Sequence, residues 1–351
     1  MIVKGLTKEE LRAYLNTFNL PGYRADQIYA WIYQKQARTW DEMTNLPQDV
    51  RQKFKAQDLS LGCLKAAAQT EADDGTIKYL FELPDGQKVE SVYLPEPGRR
   101  TVCLSTQAGC GMGCAFCATA QSGLIRNLTA AEIVDQALSI IRAAGAGRIN
   151  NLVFMGQGEP FANYEPVLKA IRIFNDSEAL GIGARHMTIS TCGLVPGIHK
   201  LSGESIQVNL AISLHSADDE LRNQLMPINK KYPLKELWEA CRIYSGKTGR
   251  RITFEYVMID GVNDRDCDLD KLIGAMNGIL ANVPRHVNLI PYNPIPKSGF
   301  RASKAWRIKE FSARLNSAHI ETTVRKERGQ SLAAACGQLG ARAPEEKGGE
   351  D

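Results

Sequence analysis

In the first sixty residues, apolar positions recur with helical spacing. "TKEELRAYL" opens on Thr7 with Glu10 three residues later, the spacing of a capping box. "RADQIYAWIYQ" puts Ile28, Trp31 and Ile32 at helical intervals, and "LPQDVRQKFK" predicts a third helix with Pro47 in its first turn. The rhythm then changes. "TIKYLFEL" and "QKVESVYL" read as strands on either side of Asp85-Gly86, a turn signal, so residues 76–94 predict a β-hairpin with Glu90 in its second strand. From about residue 100, short apolar runs alternate with amphipathic stretches. The runs at 101–107, 149–155, 186–191, 207–214, 251–259, 286–291 and 321–325 predict strands. Between them lie helical patterns such as "TAAEIVDQALSIIRAA", where Thr129 and Glu132 form a second capping box, "PLKELWEACRIYS" and "SKAWRIKEFSARLNSA". This βαβ alternation predicts an α/β fold with a parallel sheet, open or closed into part of a barrel. In such sheets ligands bind at the carboxyl ends of the strands. The polar end "ARAPEEKGGED" is expected to be disordered, notably 343–351.

Length and charge narrow this only slightly. A chain of 351 residues holds two domains, or one large α/β domain with an appendage. Its 43 Lys+Arg against 39 Asp+Glu leave +4, which permits nucleic-acid binding without demanding it. Nine cysteines, unevenly spread, do not read as a secreted disulfide framework. With no signal-peptide pattern at the start and no run approaching a membrane span, a reducing cytoplasm is expected. There, clustered cysteines more often serve metal binding or redox chemistry.

The cluster is "CGMGCAFC", in which Cys110, Cys114 and Cys117 follow C-x3-C-x2-C after the first strand of the βα region. Three readings compete: packed thiols, part of a zinc site, or a 4Fe-4S cluster. Gly111 and Gly113 argue for a ligand loop rather than a core strand. A structural zinc site wants four ligands, usually in paired C-x2-C knuckles, and the chain has no second knuckle. A cluster held by three cysteines leaves one iron open to another ligand. The spacing, with Phe116 before the last cysteine, resembles the signature of the radical S-adenosylmethionine (SAM) superfamily. That resemblance implies that the open iron chelates the amino and carboxylate groups of SAM. One electron then cleaves SAM to a 5′-deoxyadenosyl radical. Other strand ends offer backbone and side-chain groups to hold SAM. These are Gly156, Gly158 and Glu159 in "FMGQGEP", Ser190 in "ISTCG", Ser213, Leu214 and His215 in "AISLHSADDELR", and Asn293 in "IPYNPIP".

Two further cysteines, Cys103 and Cys336, read alone as packing residues. Several separated segments change that: "YRADQIYAWIY", "VESVYLP", "TVCLSTQAGCGMGCAFCATAQSGLIRNL", "STCGLVPGI", "AISLHSADDELRNQLMPIN", "YNPIP" and "VRKERGQSLAAACGQL". Together they resemble the RlmN/Cfr family of radical SAM RNA methyltransferases, over about residues 1 to 340. The likeness is closer to the RlmN branch, which acts on 23S rRNA and tRNA at adenine C2. It implies a partial (β/α)6 TIM-like barrel over 96–330. It adds a helical RNA-binding domain over 1–60, a hairpin linker over 61–95 and a methyl-accepting segment over 331–342.

The resemblance also implies a mechanism that uses two SAM per turnover. Cys336 accepts a methyl group from the first, the radical from the second abstracts hydrogen from that methyl, and the methylene radical adds to C2. Glu90 matches the position of the proton acceptor; read alone, it is a solvated strand residue. Cys103 attacks Cys336 sulfur, releases the methylated base and leaves a disulfide. An electron donor such as a flavodoxin-type reductant, 23S rRNA, tRNA and a monomeric enzyme are implied. The targets implied are adenosine 2503 of the rRNA and adenosine 37 of tRNAs. Arg99, Arg100, Arg126, Lys230, Lys231, Arg325, Lys326 and Arg328 are candidate phosphate contacts. Gln157 departs from the family's usual MGMGEP. Rival readings are a Cfr-type C8 methyltransferase, a zinc-containing RNA-binding protein without catalysis, and a radical SAM enzyme acting on a small molecule or protein.

Overall fold

The structure is a computed structural model that describes residues 2–145, 149–296, 298–326, 328–329 and 332–340. The tail expected to be disordered lies outside the described residues. Near the start, α1 (Lys8–Asn16), α2 (Tyr23–Tyr33) and α3 (Gln48–Ala56) form as the spacing predicts. The Thr7–Glu10 capping box closes in both directions, and Pro47 caps α3 from just outside it.

Among the described residues, ten strands form one sheet. Three are antiparallel: β1 (Lys65–Glu71), β2 (Ile77–Glu82) and β3 (Lys88–Glu96). The hairpin between β2 and β3 turns through Gly86 at φ +81°. β1 was not expected; its residues, KAAAQTE, are exposed throughout and carry no alternation to reveal them. β4 (Arg99–Cys103) is antiparallel to β3 and begins the parallel part.

The first predicted strand, 101–107, is really two elements. β4 ends at Cys103, and β5 (Gln107–Gly109) leaves the sheet to pair antiparallel with β6 (Leu124–Asn127). Between β5 and β6 lies the short α4 (Ala118–Gln121). The break occurs where the side chain of Gln136 takes both backbone groups of Ser105, accepting from its N–H and donating to its carbonyl. Gln136 belongs to α5 (Ala130–Ala143), capped by Thr129 and Glu132 as expected.

The remaining predicted strands are present: β7 (Asn151–Phe154), β8 (Met187–Thr191), β9 (Asn209–Ser213), β10 (Ile252–Met258), β11 (Arg285–Pro291) and β12 (Thr322–Val324). Each is parallel to the strand before it in the order β4-β7-β8-β9-β10-β11-β12. Six strands thus make the partial barrel and the short β12 extends it. The helices α6 (Tyr164–Asn175), α7 (Val195–Leu201), α8 (Asp219–Leu225), α9 (Leu234–Thr248), α10 (Asp266–Gly274) and α11 (Ala305–Ser317) lie between the strands in chain order.

Alternation along the strands sorts the residues into two faces. Val102, Leu152, Ile189, Leu210, Ile212, Phe254 and Leu289 belong to the core cluster that includes the helices. The other face carries Thr101, Thr188, Ser190, Ser213, Thr253, Glu255, His286 and Asn288, which line cavities. A closed barrel fills this space with branched apolar side chains. This interior is polar and hollow, as an open barrel with an internal ligand requires.

Candidate active site

The three cysteines lie in a loop bracketed by β5 and β6. Cys110 N–H donates to Gly123 O at 2.8 Å. Gly109, at φ +73°, must be glycine, because a Cβ there would lie 2.0 Å from Gly123 O. Cys110, Cys114 and Cys117 line one cavity with Gly158, Glu159, Ser190, Ser213, His215 and Cys336. Its walls are the carboxyl ends of the parallel strands, where ligands of such sheets bind.

Among the described residues, no three His, Cys, Asp or Glu side chains converge as a single metal ion requires. The three thiols line one cavity. That fits a multi-iron cage, which takes one sulfur per iron and leaves one iron open. Burial raises the free thiol of Cys110 to about 11 and that of Cys114 well above its ordinary range.

The polar groups predicted at the strand ends divide. His215 is buried, at φ +59°, and packs edge-on to Phe116 with centroids 4.7 Å apart. Its Nδ1 accepts Val257 N–H at 3.0 Å, so the neutral ring carries its proton on Nε2 and can donate from there. Burial and then Arg222 push its pKa down to about 3, so it stays neutral. Glu159 Oε1 accepts Phe161 N–H and Oε2 accepts Cys192 N–H, tying two strand-end loops together. Burial raises its pKa. Ser190 Oγ donates to Glu255 Oε2 at 2.7 Å, and Ser213 Oγ reaches the same oxygen at 3.4 Å.

Two predicted residues stand elsewhere. Leu214 is fully buried and does not line this cavity; its N–H donates to Glu255 O and its carbonyl accepts Arg222 Nε. Asn293 lines the neighbouring cavity and donates to Cys336 O at 3.2 Å. Gly156 and Gly158, expected to approach a ligand, also have a nearer reason. A Cβ at Gly156 would meet Leu104 O at 2.7 Å, and one at Gly158 would meet Gln107 at 2.5 Å. Gln157 fits between them: its carbonyl accepts the N–H groups of Thr106 and Gln107, and its Oε1 accepts Glu90 N–H at 3.2 Å.

A second cavity, of about 510 Å3, is lined by residues of β3, β4, β10, β11 and β12. It shares Met155, Glu255, Ile290 and Cys336 with the first. Cys103 lines it too, so residues 103 and 336 of the chain face one space. The residues around Cys336 are tied down at several points. Ala118 N–H donates to Gly337 O at 2.7 Å, Thr119 Oγ1 to Leu339 O at 2.6 Å, and Gln338 Nε2 to Pro294 O at 3.0 Å. Both thiols are free and their pKa values are raised by burial, that of Cys103 to about 12. The guanidinium of Arg325 opposes that rise at both.

Glu90 is not a solvated strand residue. It is 8% exposed, its Oε1 lies 3.3 Å from Lys78 Nζ, and its Oε2 accepts Gly340 N–H. Sequence reasoning also passed over Glu255, Lys78 and Cys192. The lone acid inside the apolar strand "ITFEYVM" was the available signal for Glu255, because a buried carboxylate in a strand needs partners. Of the candidate phosphate contacts, Arg126 is engaged by Glu132 and Asp85, and Arg328 by Glu96 and Pro95 O. Arg99, Arg325, Lys326 and Arg328 line the second cavity.

Known proteins resemble this chain along nearly its whole length. Residues 104–273 match the family described as the radical SAM superfamily, and residues 3–58 match the ribosomal RNA large subunit methyltransferase N-terminal domain. A protein of Thermoanaerobacter sp. (strain X514), named "Probable dual-specificity RNA methyltransferase RlmN", is 46% identical over 338 residues. The match covers 96% of this chain and 97% of that protein. A Chloroflexus aurantiacus protein of the same name is 46% identical over 346 residues, covering 95% and 91%. The crystal structure of a radical SAM methyltransferase from Sphaerobacter thermophilus superposes with a TM-score of 0.93 at 47% identity, covering 98% of this chain and 100% of that one. A 4Fe-4S cluster and SAM follow from the superfamily. The chain belongs to the RlmN family of radical SAM RNA methyltransferases.

Proposed function

We propose that the chain methylates C2 of adenosine in 23S rRNA and tRNA, at adenosines 2503 and 37, through its own cysteines. The observation that carries this reading is that Cys103 and Cys336 line one cavity, which Cys336 links to the cavity of the three-cysteine loop. Cys110, Cys114 and Cys117 would hold the cluster, with SAM against Glu159, Ser190, Ser213 and His215. The cluster and SAM supply, when bound, a methyl group and a hydrogen-abstracting radical, two SAM being used per turnover.

The chain's residues do the rest. Adenine C2 lies between two ring nitrogens and is electron-poor, so it does not attack a methyl donor. Cys336 does so as thiolate and becomes S-methylcysteine. Once that methyl has lost a hydrogen atom, its carbon bonds to C2, joining RNA to protein. The C2 proton goes to Glu90, and one electron returns to the oxidised form of the one-electron donor, which restores the aromatic ring. Cys103 thiolate then attacks Cys336 sulfur; an S–S bond forms, the C–S bond breaks and its electron pair leaves with the base carbon, which takes a proton. A two-electron reductant restores both thiols. The target base leaves its stack to enter, and the N-terminal helical segment serves as the RNA-binding accessory.

Anaerobic reconstitution with SAM and an rRNA or tRNA fragment, followed by nucleoside mass spectrometry, tests the reading. It predicts 2-methyladenosine from both RNAs. Recovery of 8-methyladenosine instead sinks the C2 assignment, and a colourless zinc protein with no product sinks the enzyme.

A further inference from the structure

Lys78 stands on β2, two residues before Leu80, which pairs with Glu90 across the hairpin. Lys78 and Glu90 are therefore diagonal neighbours on one face of the sheet. Their side chains are 11% and 10% exposed, with Nζ 3.3 Å from Glu90 Oε1. The same face carries Val92 and Leu94, which pack with Cys103, Ala334 and Leu339. The pair thus lies beneath the segment that carries Cys336, and Gly340 N–H takes the second carboxylate oxygen.

A buried ion pair is a poor way to gain stability. Apolar residues of similar size at both positions do as well or better, so a hairpin that only had to pack has no use for one. Breaking the pair is a different matter, since it leaves the other charge buried and uncompensated. The arrangement suits a carboxylate that must be held in one place.

We propose that Lys78 is the positioning residue for proton transfer at adenine C2, its ammonium fixing Glu90 by Oε1 so that Oε2 is presented to the base. This rests on the reading of Glu90 as proton acceptor. Gly340 N–H yields Oε2 as the base enters. The C2–H bond breaks, its proton passes to Oε2, its electron pair stays in the ring, and Glu90 becomes the neutral acid. Lys78 stays against Oε1 throughout.

The test uses reconstituted enzyme and RNA carrying protium or deuterium at adenine C2. Lys78→Met is expected to lower kcat about 10- to 100-fold with little change in KM for RNA. It also raises the C2 deuterium isotope effect above that of the wild type, because proton loss becomes limiting. Lys78→Arg recovers most of the rate. Should Lys78→Met fail to fold, Lys78→Gln carries the same comparison. Wild-type kcat in the Met or Gln variant, or a loss of rate with no added isotope effect, overturns the role of Lys78. Glu90→Gln, run alongside, separates the two ideas: normal turnover there overturns Glu90 as the acceptor, whatever Lys78 does.

Discussion

Asp135→Ala tests how the N-terminal helices are held to the barrel. One carboxylate on α5 joins three parts of the chain. Oδ1 accepts Lys4 Nζ at 2.6 Å, and Oδ2 accepts the N–H groups of Cys63 and Leu64 at 2.8 and 3.1 Å. The side chains of Lys4 and Asp135 are 3% and 2% exposed. Burial pushes the carboxyl up, but Lys4 and the two N–H donors hold it below its ordinary range. Truncation leaves an ammonium buried without a counter-charge, at about 3–5 kcal/mol. Each orphaned N–H adds about 1–3 kcal/mol. Other polar ties to the N-terminal segment, such as Lys8–Glu178 and Lys169–Glu10, are partly exposed and worth about 0–1 kcal/mol each. The loss therefore falls first on docking of the helices, and the buried-charge part alone, about 4 kcal/mol, shifts that equilibrium about a thousandfold. Hydrogen exchange read by mass spectrometry should show protection falling in α1 and α2 while β8 to β10 hold theirs. Gly5→Val should act alike, since a Cβ at Gly5 would lie 2.7 Å from Ala131 N. Wild-type protection in both variants would refute the reasoning.

Three other outcomes follow from single residues. Gly109→Ala, with a Cβ forced to 2.0 Å from Gly123 O, should displace the cysteine loop. Its iron and sulfide content after reconstitution should fall well below wild type, and full loading would contradict the loop geometry. His215 has a folded pKa of about 3 against 6.5 ordinarily, so between those values the unfolded chain binds the proton. Its contribution, complete above about pH 6.5, is lost as pH falls toward 3, and amounts to a few kcal/mol, about 4–5 at most. His215→Asn should flatten that part of a urea-denaturation pH series; an unchanged slope argues against a buried neutral ring. Cys103, pushed up to about 12 by burial, should be alkylated by iodoacetamide at pH 7.5 about 100-fold more slowly than exposed Cys267. Equal rates by peptide mass spectrometry would mean that Cys103 is not sequestered.

Much of this was legible in the sequence because the parallel strands are written twice, once in their apolar runs and once in the helices between them. The seven strands and both threonine capping boxes came from local pattern, where a few neighbouring residues decide the conformation. β1 did not, since a fully exposed edge strand has no buried face to mark it. The end of β4 was misplaced because Gln136, far along the chain, takes the backbone groups of Ser105. The same holds for the site. C-x3-C-x2-C is a local spacing and announces itself. Glu90 is buried only because Lys78 and Gly340 converge on it, and Gly340 is 250 residues away. The hub at Glu255 joins serines of β8 and β9 to Arg325, 3.8 Å away, through tertiary contacts alone.

The central claim is that Cys336 carries the new carbon to RNA and Cys103 releases it. The Cys103→Ala enzyme, reconstituted anaerobically and given SAM, reductant and an RNA fragment, tests this in one digestion. The account predicts a covalent adduct, found by tandem mass spectrometry as an adenosine joined through one carbon to the sulfur of Cys336. Free methylated RNA at the wild-type rate, with no nucleotide on the Cys336 peptide, would contradict it.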